Sequence, residues 1–263
     1  MSPVAVRPSL VTLHEPAHAD TTGTAVLVHG TLDRAANFRT VARHLPDWRV
    51  VGWDRRGWAT SRELGDEHTT LRHHVEDLCE ILTRAPGAVV AGHSYGGLVA
   101  LCAAAQRPDL PAAVVAFEPP VRWLPWWRPE TEPDSTGDDD ASGAVEKVLR
   151  HILGEAGWVR LSRESRARLQ AEGPALLVEM GDPSQDEVAF DPAELSVPVV
   201  IAAGTRSLPA HREVAHRLAA LVPHGEFTTI AGAGHAAHVS HAREFARLVE
   251  RAAALAGAEE RDR

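Results

Sequence analysis

Short apolar runs alternate along the chain with segments in which apolar residues recur at helical spacing. The runs "LVTLHE", "AVLVHG", "RVVGWD", "AVVAGHS", "AAVVAFEP", "PVVIAAG" and "FTTIAG" read as strands, each bounded by Gly, Pro or charge. Helices are predicted over residues 37–45, 70–84, 96–107, 209–222 and 241–255. The last of these puts Phe245, Leu248, Val249, Ala252 and Leu255 on one face. Near-continuous apolar strands separated by helices predict an α/β fold. Its central sheet should be mostly parallel, with helices on both faces.

One segment breaks this alternation. Residues 119–196 contain no convincing strand. They hold "VRWLPWWRPE", an acidic polar run "ETEPDSTGDDDASG" at 130–143, and amphipathic helical patterns around 145–153 and 162–180. The acidic run is too polar to pack and reads as a loop. The segment is expected to form a helical cap inserted between residues 1–118 and 197–263, which together supply one core.

Charge narrows the partners. With 36 acidic and 27 basic residues the net charge is −9. That balance disfavours nucleic acid and anionic membrane surfaces. The beginning of the sequence, "MSPVAVRPSLVTLHEP", holds no apolar run of signal-peptide or membrane-helix length, so a cytoplasmic protein without a membrane partner is expected. Cys79 and Cys102 each fall on or near an apolar helical stripe, which reads as two reduced core thiols.

Three short motifs carry chemistry. "GHSYGG", residues 92–97, follows one predicted strand and opens a helix. That context forces Ser94 into a tight, exposed turn at a helix N-terminus, whose dipole favours developing negative charge. A serine hydroxyl needs an adjacent base to act as a nucleophile. His235 in "AGAGHAAH" follows the last predicted strand, where a loop can deliver an imidazole. His238 and His241 follow at three-residue spacing, which also permits a metal-site reading, although no cysteine or carboxylate cluster lies beside them in the sequence. In "LVHGTLDRAANF" the backbone amide of Thr31 is placed to face a substrate oxygen. With the amide of Tyr95 it would make an oxyanion hole, while His29 braces the loop.

With these motifs in this order the chain resembles the α/β-hydrolases. The likeness runs over nearly its whole length, through "HGT", "WDRRGWATS", "GHSYGG" and "GAGH". In the second motif Ala59 stands where the family usually has glycine. The resemblance implies a serine hydrolase that needs no cofactor and no metal, with Ser94 as nucleophile and His235 as base. It also implies an acid after the strand "PVVIAAG", yet there "GTRS" puts Ser207 at the acidic position. Glu118, at the tip of "VVAFEPP", is the expected substitute, because some relatives carry their acid after this earlier strand. Its rivals are Asp191, Glu194 and Glu213, a purely structural Glu118, and no acid at all.

The expected reaction is cleavage of a small or medium ester, lactone or thioester through an acyl-enzyme. Variants are a biosynthetic thioesterase or cyclase with a carrier-protein partner, and, from another class, a ligand-binding protein that keeps the fold without catalysis. A serine rather than an aspartate at the elbow argues against epoxide-hydrolase and dehalogenase chemistry. Trp123, Trp126 and Trp127 begin the inserted segment and either line an acyl pocket, anchor the cap or make a homodimer contact.

Overall fold

The computed structural model describes residues 10–18, 21–127 and 140–262. Seven strands form one sheet: β1 (Val11–His14), β2 (Gly23–Val28), β3 (Trp48–Trp53), β4 (Ala88–His93), β5 (Pro111–Phe117), β6 (Val199–Gly204) and β7 (Gly225–Ile230). Their order across the sheet is β1-β3-β2-β4-β5-β6-β7. Only β1 pairs antiparallel; every other neighbouring pair is parallel. Strands β4 and β6 are buried at every position, as expected where helices cover both faces.

The helices are α1 (Arg39–Ala42), α2 (Leu71–Thr83), α3 (Tyr95–Gln106), α4 (Ala141–Arg160), α5 (Arg163–Gln170), α6 (Gly173–Met180), α7 (Pro209–Leu221), α8 (Ala237–Ser240) and α9 (Ala242–Asp262). Side chains from α2, α3 and α7 build the core on one face of the sheet. Those from α1 and α9 build it on the other. Helix α3 is apolar nearly all round and buried along its length, so it lies at the centre of the first layer. Both cysteines are free; Cys102 is buried, and burial pushes its thiol pKa up.

Between β5 and β6 the described residues are helical, and the predicted helix over 162–180 is two helices. Gly173 and Pro174 open α6, and Pro174 lacks the N–H that a continuous helix would use there. The earlier helix α4 is capped by the Asp140 side chain on Gly143 N–H and kinks at Gly154, where φ is 70°. A third apolar cluster joins α4 and α6 to the body: Val145, Val148, Leu149, Trp158 and Leu176 pack with Leu32 and Trp58. The acidic run up to residue 139 lies outside the described residues. Ala59, in the expected glycine position, has φ of 46°, so that loop keeps a left-handed backbone.

Candidate active site

Ser94 stands between β4 and α3 with φ 52° and ψ −123°. A Cβ on Gly92 would lie 2.2 Å from the Gly96 carbonyl oxygen, and one on Gly96 would lie 2.2 Å from that of Val28. The turn therefore closes only with glycine at both positions. Ser94 N–H donates to Phe117 O at 2.8 Å and Gly97 N–H to Ser94 O at 2.7 Å, which holds the strained turn in place. The Ser94 hydroxyl faces a cavity of about 450 Å³ and has no hydrogen-bond partner among the described residues.

Glu118 follows the last residue of β5, which pairs with β4, the strand that leads into Ser94. Its φ is 49°, its N–H donates to Ala202 O at 2.9 Å, and its side chain is fully buried. Gly204 N–H, at the end of β6, donates to Oε1 at 2.8 Å. His235 Nδ1 lies 2.6 Å from Oε2, and His211 Nδ1, from the first turn of α7, lies 3.3 Å from the same oxygen. Burial alone would raise the carboxyl pKa. The close approach of His211, the hydrogen bond and charge of His235 and a further contribution from Ser207 outweigh it and hold Glu118 well below its ordinary range. The loop in which the customary acid is missing thus leaves the Ser207 hydroxyl buried without a hydrogen-bond partner among the described residues, and the helix after it brings His211 to this carboxylate. His211 has no distinguishing signal in the sequence, where it reads as one more polar position on an amphipathic helix.

His235 leads into α8. Nδ1 faces Glu118, and its carbonyl oxygen accepts a hydrogen bond from His93 Nε2 at 2.9 Å. With Nδ1–H committed to the carboxylate, Nε2 is the ring atom left to accept a proton. Ser94, Glu118 and His235 line the same cavity.

The loop after β2 completes the arrangement. The Tyr95 amide is the first of α3 and so has no intrahelical acceptor; the Thr31 amide has none among the described residues. His29 is fully buried and accepts from Arg55 N–H through Nε2 at 2.8 Å, while Nδ1 donates to Gly30 O at 2.7 Å. Burial and the Arg55 charge lower its pKa to about 4, so it braces the loop as a neutral imidazole. Arg55, itself buried, donates to His29 O and Gly30 O and pairs with Glu179 of α6 at 2.6 Å. Thr31 Oγ1 donates to the other oxygen of Glu179 at 2.5 Å. A carboxylate from the inserted helices therefore fastens the loop that carries Thr31, a link with no mark in the sequence.

Much of the remaining wall is apolar and comes from residues between β5 and β6, where Val148, Leu149, Ile152, Leu161 and Leu176 face the cavity beside His151, Arg168 and Gln185. Of the three tryptophans, Trp127 lines the cavity, whereas Trp123 packs edge-on against Phe190 with ring centroids 5.2 Å apart. All three also pack against the core that α2, α3 and α7 cover.

Two trios of donors are placed closely enough to hold a metal ion: Glu118, His211 and His235, and Asp33, His93 and His238. The second joins the predicted oxyanion loop, the residue before Ser94 and the helix after His235.

The family model described as the alpha/beta hydrolase fold matches residues 25–242. A pimeloyl-[acyl-carrier protein] methyl ester esterase of Xanthomonas campestris is 31% identical over 246 residues, covering 86% of this chain and 93% of the relative. Among solved structures, naproxen esterase (carboxylesterase NP) from Bacillus subtilis superposes with a TM-score of 0.64 at 17% identity, over 92% of this chain and 86% of that one. The thioesterase domain from the curacin biosynthetic pathway superposes with a TM-score of 0.59 at 17% identity, over 92% of this chain and 94% of that one.

Proposed function

Because the chain belongs to the α/β-hydrolase family and is a hydrolase of the esterase type, we propose that it cleaves acyl esters through an acyl-enzyme on Ser94, with His235 as general base and Glu118 as the acid that orients it. The observation that carries this reading is the 2.6 Å contact between His235 Nδ1 and Glu118 Oε2, beside the cavity that Ser94 lines. The carboxylate fixes the imidazole tautomer and stabilises the imidazolium once the serine proton has moved to Nε2. The hydroxyl oxygen then attacks the ester carbonyl. Its oxygen takes the negative charge and is met by the Thr31 and Tyr95 amides, each worth about 3 kcal/mol in the transition state. The imidazolium returns the proton to the leaving alkoxide or thiolate. Water, activated by the same imidazole, resolves the acyl-enzyme.

The apolar walls from α4, α5 and α6 suit a medium-length aliphatic or aromatic acyl group, with Trp127 at its side. A carrier-protein-bound acyl ester is the finer substrate class we put forward, because the 31%-identical relative is named for one. No helix among the described residues is long and apolar enough to cross a membrane.

The test is a fluorophosphonate probe with a substrate panel. Wild type should label at one site and Ser94→Ala should not. Turnover of p-nitrophenyl esters should peak at an intermediate acyl length, and thioesters free and carrier-bound should separate the finer classes. An unlabelled but folded wild type would instead point to a ligand-binding protein of this fold.

A further inference from the structure

Asp33, His93 and His238 take no part in the proton transfers proposed above, and we propose that they form a binding site for one divalent transition-metal ion of the zinc class, set behind the His235 loop and open to the same cavity. The three side chains are at most 9% exposed, their donor atoms lie within 4.8 Å of one another, and all three residues line the cavity. The sequence singles out His238 only as one of three regularly spaced histidines; the fold separates it from His241 and gives it the carboxylate that the sequence does not show beside it.

The hydrogen-bond pattern around the trio suits a cation. His93 Nε2–H donates to the His235 carbonyl at 2.9 Å, which fixes the tautomer and leaves Nδ1 as a bare lone pair. That atom has no partner among the described residues, and 3.9 Å away it faces Asp33 Oδ2, another electron-rich atom. Two such atoms facing each other with no hydrogen between them are stabilised by positive charge placed between them. His238 Nε2 lies 3.0 Å from the same oxygen, yet neither atom has a hydrogen-bond partner among the described residues. His238 Nδ1 also stays unpartnered.

A metal ion would satisfy the inward-facing atoms together. Tetrahedral zinc with bonds of about 2.0–2.1 Å sets its ligand atoms about 3.3 Å apart. The 3.0 Å separation is close to that, and the 3.9 Å one closes with a side-chain adjustment. The outer contacts also match those of metal-bound ligands, in which the second histidine nitrogen donates to a carbonyl and the carboxylate is itself hydrogen-bonded. Here His93 donates to His235 O, and Asp33 Oδ1 accepts from Asn37 Nδ2 at 2.5 Å. Two imidazoles and one carboxylate suit zinc, cobalt or iron better than calcium or magnesium. Bound there, the ion would cross-link the segments carrying Thr31, Ser94 and His235. This site stands independently of the esterase reading, because its test reads binding rather than turnover.

Chelator-dialysed protein titrated with ZnCl2 in a calorimeter should take up one tight equivalent. Binding should weaken by at least about tenfold in His238→Gln and in Asp33→Asn, and be unaffected in the exposed-site control His68→Gln. Zinc should raise the melting temperature of wild type and leave that of His238→Gln unmoved. Equal affinity in wild type and both variants overturns the proposal. So does loss of binding in His211→Gln with retention in His238→Gln, which would place the ion at the other trio. If both site variants fail to fold, a zinc-edge anomalous map of soaked wild-type crystals decides: a peak among the three side chains supports the site, and a peak elsewhere or none rejects it.

Discussion

Replacing Glu118 with glutamine changes one oxygen into an NH2 group and removes the charge while keeping shape and volume. The carboxylate accepts on both sides, from Gly204 N–H at 2.8 Å and from His235 Nδ1–H at 2.6 Å. An amide cannot do so. If its oxygen stays on Gly204, its NH2 donates to His235 Nδ1 and moves the ring proton to Nε2, where the imidazole no longer accepts from Ser94. If it flips, NH2 meets the Gly204 N–H donor to donor, a buried mismatch of about 1–3 kcal/mol. The wrong tautomer therefore dominates. The imidazolium of the transition state also loses a charge-assisted bond worth about 1.5–3 kcal/mol. Together these give about 3–6 kcal/mol, or a fall in kcat of roughly 10²- to 10⁴-fold, the upper end matching the loss seen when a triad aspartate becomes asparagine. The assay is p-nitrophenyl ester hydrolysis with a pre-steady-state burst, alongside a thermal melt to establish that the variant is folded. KM should move little, since Glu118 touches the base rather than the acyl group. A folded Glu118→Gln with kcat within about tenfold of wild type refutes the assignment.

Three further outcomes follow from the same geometry. Glu118 is held below its ordinary value of 4.5, so its ionised form stabilises the fold fully above about pH 4.5 and that contribution disappears as the pH falls further; melts in acid should decline more steeply for wild type than for Glu118→Gln, and parallel curves would contradict this. Glu179→Gln leaves Arg55 buried without its carboxylate and weakens the hold on Thr31. Urea unfolding should show a loss of about 3–5 kcal/mol, and a loss below about 1 kcal/mol would mean that the pair contributes little. Gly96→Ala places a methyl group 2.2 Å from the Val28 carbonyl oxygen and should yield no soluble folded protein; a stable, active variant would show that the elbow has slack.

Much of this protein is legible from residue order because the relevant signals are local. Apolar runs punctuated by glycine and proline mark β2 to β7, and Gly92-x-Ser94-x-Gly96 between a strand and a helix marks the elbow, since steric closure of a turn depends on a few neighbouring residues. The boundaries that differ also have local causes: Gly173 and Pro174 split the predicted helix over 162–180. The position of Glu118 at a strand tip can likewise be read in sequence. Its contacts with Gly204, His211 and His235 arise where β5, β6 and the His235 loop converge. Trp123, Trp126 and Trp127 form one motif in the chain and pack against one core, yet of the three it is Trp127 that also lines the cavity.

What residue order by itself determined here is the succession of elements, the strained serine turn and the vacancy where an acid is customary. Only the tertiary structure decided that Glu179 of an inserted helix fastens the Thr31 loop, that His211 shares the Glu118 carboxylate, and that Asp33, His93 and His238 meet. The physical reason is one of range. Backbone sterics and periodicity act within a few residues, whereas a buried hydrogen bond or ion pair joins residues far apart in the chain, 148 positions for Thr31 and Glu179. A histidine or glutamate on a helix reads the same in sequence whether its side chain ends in water or against a carboxylate, until packing brings the two together.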